Sequence, residues 1–122
     1  MVLVDTSVWV AHLRESDADL IKLLNHGHVA CHPFIVGELA CGNLNNRLEI
    51  LSLFQSLPAV TIAEHEEVMR FIENHKLMGR GIGYVDLHLL TSTALTEIPI
   101  WTFDKKLNEV STEFGLDFKN KA

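Results

Sequence analysis

Val2-Leu3-Val4-Asp5-Thr6-Ser7-Val8 opens the chain: three consecutive apolar residues stop at an acid, and helical register begins immediately after it. An uninterrupted apolar run this short suits a strand buried on both faces, and Val8 and Trp9 continue into a helix over residues 6–13. The same alternation repeats outward. Ser16 or Asp17 can cap a helix that carries Leu20, Ile21, Leu23 and Leu24, and residues 25–27 break it before His28-Val29-Ala30-Cys31 reads as a second strand. Pro33 suits the first turn of a helix running to Cys41 and ending at Gly42. Asn43, Asn45 and Asn46 turn the chain into a helix over 47–57. Pro58 stops that helix, and Val60-Thr61-Ile62 reads as a third strand.

The second half follows suit. Over 64–77 the apolar residues Val68, Phe71 and Ile72 face away from Glu66, Glu67 and Glu73. Gly79, Gly81 and Gly83 mark a loop, and residues 84–95 form a helix that is apolar nearly all round. Pro99-Ile100-Trp101-Thr102-Phe103 is the fourth strand. An amphipathic helix over 104–114 closes at Gly115, and Leu116-Asp117-Phe118 reads as a short last strand. Strands separated by helices need right-handed crossovers, so the expectation is a three-layer α/β/α sandwich around a mostly parallel sheet. No repeat or linker divides the chain, which reads as one domain over 1–122.

The 122 residues carry 16 Asp plus Glu against 10 Lys plus Arg, a formal net charge of −6. At 48% hydrophobic and 21% charged, the composition is that of a folded domain. The charge argues against coating nucleic acid by bulk attraction, which needs clustered Lys and Arg. It leaves open a nucleic-acid enzyme whose positive charge comes from a metal. Cys31 and Cys41 lack zinc-site spacing and read as two small buried thiols. With no basic, apolar leader and no apolar run near the roughly 18 residues of a membrane span, the expected compartment is the cytoplasm.

In an open parallel sheet, ligands bind beyond the carboxyl ends of the strands. Asp5 ends the first strand, Asp104 follows the fourth, Glu38 lies in the helix after the second, and Asp86 begins the helix that feeds the fourth. Glu38 shares a helix face with Phe34, Ile35 and Cys41, and Asp86 with Leu89 and Leu90, so both acids are expected on otherwise buried surfaces. Buried carboxylates are usually paired or hold a metal, and none of Arg14, Arg47, Arg70 or Arg80 stands where it would neutralise this set. Four hard oxygen donors suit Mg²⁺ or Mn²⁺ rather than zinc, and such ions support hydrolysis at phosphorus. Taken alone, Asp104 could equally be a helix cap, and Glu38 a satisfied core acid.

Together, Val2-Leu3-Val4-Asp5-Thr6-Ser7-Val8, Val36-Gly37-Glu38-Leu39, Gly83-Tyr84-Val85-Asp86 and Trp101-Thr102-Phe103-Asp104 resemble, in order and across the chain, the PIN-domain ribonucleases, most closely the VapC-type toxins of toxin–antitoxin pairs. The resemblance implies an α/β/α fold and a Mg²⁺- or Mn²⁺-dependent endoribonuclease that hydrolyses RNA phosphodiesters, with tRNA among the substrates of such toxins. It assigns Asp5, Glu38, Asp86 and Asp104 to the acidic quartet, and Thr6 or Ser7 and Thr102 to supporting hydroxyls. It further implies a homodimer and inhibition by a cognate antitoxin whose C-terminal segment enters the site.

Other features are less pointed. Arg80 and Lys105, with Lys106 beside it, can contact phosphates or simply face water. The seven histidines are scattered; His28 and His32 lie roughly 13 Å apart if extended, too far for one ion. His32 is notable for preceding the Pro33 helix. Trp9 and Trp101 read as core or dimer-contact residues. A non-catalytic protein-binding module on the same fold, or a related nuclease acting on DNA, are the alternatives. A dehalogenase-type phosphatase would show Asp-Xaa-Asp-Xaa-Thr where Asp5 is followed by Thr6-Ser7. A receiver domain would carry an acid where Ala63 follows Ile62.

Overall fold

The order of the strands sets the position of everything else. In the computed structural model, which describes residues 1–119, a three-stranded parallel sheet has β1 (Val2–Val4) at its centre, β2 (Val29–Ala30) on one side and β3 (Ile100–Trp101) on the other. Leu3 pairs with Ala30 across one edge and with Ile100 across the other. The central strand has neighbours on both edges and both faces, and Leu3 and Val4 are fully buried. This is why it reads as an unbroken apolar run and not as an alternating one.

Around the sheet lie α1 (Thr6–Arg14), α2 (Ala18–Asn25), α3 (Pro33–Ala40), α4 (Arg47–Ser56), α5 (His65–His75), α6 (Tyr84–Thr96) and α7 (Lys105–Glu113). α1 packs on α3, α3 on α4, and α5 on α6. The expected α/β/α arrangement with parallel strands is present; the last three residues of the 1–122 span lie outside the described residues. Asp17 caps α2 by accepting from the backbone N–H groups of Asp19 and Leu20. The α6 helix is buried without interruption from Leu87 through Thr93. Two of its threonines there are satisfied locally: Thr91 Oγ1 donates to the Leu87 carbonyl and Thr93 Oγ1 to that of Leu90.

Two expected strands are reduced. Val60-Thr61-Ile62 forms no strand; the pairing is one parallel bridge, Cys31 to Ala59, with Cys31 N donating to Pro58 O and Val60 N to Cys31 O. Beyond it the backbone leaves the sheet for side chains of α6. Thr61 N donates to Thr96 Oγ1 and Ala63 N to Ser92 Oγ, so these amides are no longer available to a ladder. Residues 116–118 likewise add a bridge, Ile100 to Asp117, at the outer side of β3. Of the two thiols, Cys31 is buried and Cys41 is exposed, which corrects the expectation for Cys41: it stands at the end of α3, facing solvent. Trp9 is core, fully covered and meeting Phe54 edge to face with ring centroids 4.8 Å apart. Trp101 is half-buried against Phe118.

Candidate active site

From β1 the chain crosses to β2 on one side, while from β3 it continues through α7 to the Asp117 bridge on the other. The two connections diverge between β1 and β3, the point where an open parallel sheet leaves a crevice at its carboxyl edge. Asp5 and residues 102–104 both emerge there.

Asp5 is 5% exposed and sits at the N-cap position of α1, yet its carboxylate makes no capping bond. Oδ2 instead accepts from Ser7 Oγ and Thr102 Oγ1, each at 2.8 Å. Each hydroxyl has one proton and commits it to Asp5, so its lone pairs are free to accept. Ser7 Oγ takes the Phe103 amide and Thr102 Oγ1 the Asp104 amide, both at 3.0 Å. The result is a bracket that fixes the start of α1, the end of β3 and the orientation of Asp5 together. Oδ1 of Asp5 takes no bond among the described residues.

Asp104 caps α7 by accepting from Leu107 N at 2.9 Å, so the cap reading of this residue is correct. Glu38 is exposed, with Phe34 and Cys41 also reaching solvent, which corrects the expectation that its helix face is buried; only Ile35 and Leu39 there are covered. Its Oε1 accepts from Thr6 Oγ1 at 2.8 Å. Asp86 is half-buried in the first turn of α6. Burial raises its pKa from the ordinary 3.8 to about 6, and the neighbouring charges of Asp5, Asp104 and Glu38 push in the same direction. Asp5, Asp104 and Glu38 are thus each close enough to Asp86 for their charges to act on it.

Cationic side chains do not relieve this repulsion. The ion pair among the described residues is Arg80 with Glu113, away from the quartet. In charge and donor type the four carboxylates fit a hard divalent cation. No three His, Cys, Asp or Glu side chains among the described residues are yet drawn together around one point.

Beside the acids, a cavity of about 410 Å³ opens between α1 and α3, its walls including Thr6, Val10, Leu13, Arg14, Glu38 and Leu39. On the far side of α3, His32 is 1% exposed and caps the helix through Nδ1, which accepts from Phe34 N at 3.0 Å. That bond fixes the proton on Nε2, which donates to Ser92 Oγ at 3.3 Å. Burial, followed by the nearby His88, lowers the His32 pKa to about 4. The residue is a structural cap, and its sequence neighbour Pro33 was the available signal. Its partner Ser92, in the middle of an apolar helix, carried none.

A family model for the PIN domain matches residues 2–113. The chain belongs to the PIN-domain family. Ribonuclease VapC32 of Mycobacterium tuberculosis is 43% identical to this PIN domain over 117 residues, covering 95% of this chain and 94% of that protein. Ribonuclease VapC1 of Methanocaldococcus jannaschii is 27% identical over 98% of this chain and 88% of its own. The crystal structure of PAE2754 from Pyrobaculum aerophilum superposes with a TM-score of 0.65 over 88% of this chain and 82% of the other. At 18% identity that match speaks for the fold alone. The PIN domain described here is thus of the VapC type.

Proposed function

We propose that this PIN domain, one domain over 1–122, is a VapC-type toxin: an endoribonuclease that hydrolyses RNA phosphodiester bonds. The observation that supports the reading is the bracket of Ser7 and Thr102 that orients Asp5 beside Asp104, with the charges of Asp5, Asp104 and Glu38 all acting on Asp86. These residues would hold Mg²⁺ or Mn²⁺. Bound there, the ion supplies charge stabilisation at phosphorus and lowers the pKa of a water. The chain's own part is to hold the carboxylates ready. Ser7 and Thr102 keep Asp5 turned so that Oδ1 faces away from their hydroxyls, and Thr6 steadies Glu38.

The same reading assigns a cognate antitoxin as inhibitor, for which the cavity beside Glu38 offers an apolar-walled seat with Arg14 at its edge. It also assigns a homodimer and a cytoplasmic protein; no helix among the described residues is long and apolar enough to cross a membrane. The decisive experiment is Asp86→Asn. The purified variant should keep its circular dichroism spectrum and lose RNA cleavage in Mn²⁺. Cleavage at the wild-type rate, with contaminating nuclease excluded, would remove Asp86 from the machinery. Retained Mn²⁺ binding without any RNA cleavage by the wild type would favour the non-catalytic alternative, and cleavage of single-stranded DNA at an equal rate the DNA nuclease.

A further inference from the structure

Three basic residues flank the acids in the sequence, and the fold separates them. Arg80 donates through Nη1 and Nη2 to the two carboxylate oxygens of Glu113, so its planar fork is already taken. Lys105 points from the first residue of α7 into solvent. Lys106 differs from both. Like Lys105 it is exposed and makes no hydrogen bond or ion pair among the described residues, but its side chain lies against a neighbouring loop. It lies across Gly81: a Cβ built on that glycine would stand 2.4 Å from Lys106 Nζ and 3.2 Å from its Cδ and Cε. Gly81 has φ +78°, so the position resists a side chain by its backbone conformation, whereas the flexible end of Lys106 can move aside to make room for one.

The location gives this contact its meaning. The loop that carries Gly81 runs into Gly83, the N-cap of α6, whose first turn holds Asp86; Lys106 itself follows Asp104 by two residues. An ammonium with three donors is thereby placed where the two acid-bearing helices begin. It forms no ion pair with any of the acids among the described residues. In a chain of net charge −6, bulk attraction cannot bring RNA to this crevice, so a cation fixed at its rim acts out of proportion to its number.

We propose that Lys106, seated on Gly81, binds an RNA phosphate adjacent to the one that is cut and so positions the strand against Asp86 and Asp104. The proposal rests on the ribonuclease reading above. It makes Lys106 a positioning residue, distinct from the groups that perform the hydrolysis.

The test uses a short fluorescent single-stranded RNA, with affinity measured by anisotropy in EDTA across a salt series and cleavage measured in Mn²⁺. Lys106→Ala should weaken binding and lower the slope of log affinity against log salt by about 0.7, the share of one single-strand phosphate. In Mn²⁺ it should raise KM with kcat held. Lys106→Arg should keep the wild-type slope, and Gly81→Ala, which takes the lysine's seat, should reproduce the loss. Should Gly81→Ala fail to fold, Lys106→Ala carries the test alone. A wild-type slope and KM in Lys106→Ala overturn the proposal. So does a fall in its Mn²⁺ affinity by calorimetry, which would make the lysine part of the acid site. RNA that binds with the lysine-dependent slope but is never cut by the wild type leaves the lysine assigned and defeats the ribonuclease reading.

Discussion

Ser7 and Thr102 donate to the same oxygen of Asp5 and accept from successive amides, Phe103 and Asp104, so neither hydroxyl can be lost without orphaning a group at each end. Thr102→Val keeps the shape and removes one donor and one acceptor. It should destabilise the fold by about 1–3 kcal/mol in urea titrations and reduce cleavage by roughly 10- to 100-fold, with Thr102→Ser recovering most of both. Asp86 supplies a second prediction. Its folded pKa of about 6 lies above its ordinary 3.8, so the folded state takes up the proton more readily than the unfolded one. The metal-free protein therefore gains stability from Asp86 as pH falls from above 6 toward 4. Mn²⁺ affinity, which needs the carboxylate, declines over the same range; calorimetry of wild type at pH 7.5 and 5.5 checks this against Asp86→Asn, which should lack the dependence. Asp5, Asp86 and Asp104 stand out in the sequence because each sits at a strand end or a helix start, and Glu38 because it interrupts the apolar helix that follows the second strand. The bracket could not, because one of the two partners of Asp5, Thr102, lies 97 residues away, just past β3.

Among the elements, the first strand, the interior α6 and the seven helices follow from apolar period and from Gly, Pro and Asp punctuation. The third strand did not, because β-branched residues mark Val60-Thr61-Ile62 while the amides of Thr61 and Ala63 are claimed by Thr96 and Ser92 on a helix 35 and 29 residues on. Propensity registers the side chain; pairing depends on where the N–H points. The α3 helix has an uncommon cap in His32. Its pKa of about 4, depressed from 6.5, means that it stabilises the fold fully above pH 6.5 and that this contribution is lost as pH falls toward 4. The effect opposes that of Asp86, so the two must be separated by variants. His32→Asn retains a capping oxygen and should flatten the decline in thermal midpoint between pH 6.5 and 4. An unchanged pH profile would show that His32 is not the group responsible.

For the whole molecule, four carboxylates crowded at one sheet edge are a cost that a divalent ion relieves. At a Mn²⁺ concentration about 100-fold above its Kd, the folded state should gain roughly 2.7 kcal/mol, which raises the thermal midpoint by on the order of 10 °C in a domain of this size. Asp5→Asn combined with Asp86→Asn should remove the Mn²⁺ effect, as should chelation. The net charge of −6, which read at first as an obstacle to RNA, belongs in large part to this edge. The sheet order has a consequence in time as well as in space. Because β1 lies between β2 and β3, the first strand made is completed by one of the last, and Asp5 receives its Thr102 support only after residue 102 has left the ribosome and docked. A nascent chain shorter than that carries Asp5, Glu38 and Asp86 without the strand that aligns them. The alignment of Asp5 thus waits for β3, and until that strand docks the chain carries its acids near the RNA being translated without the support that orients them.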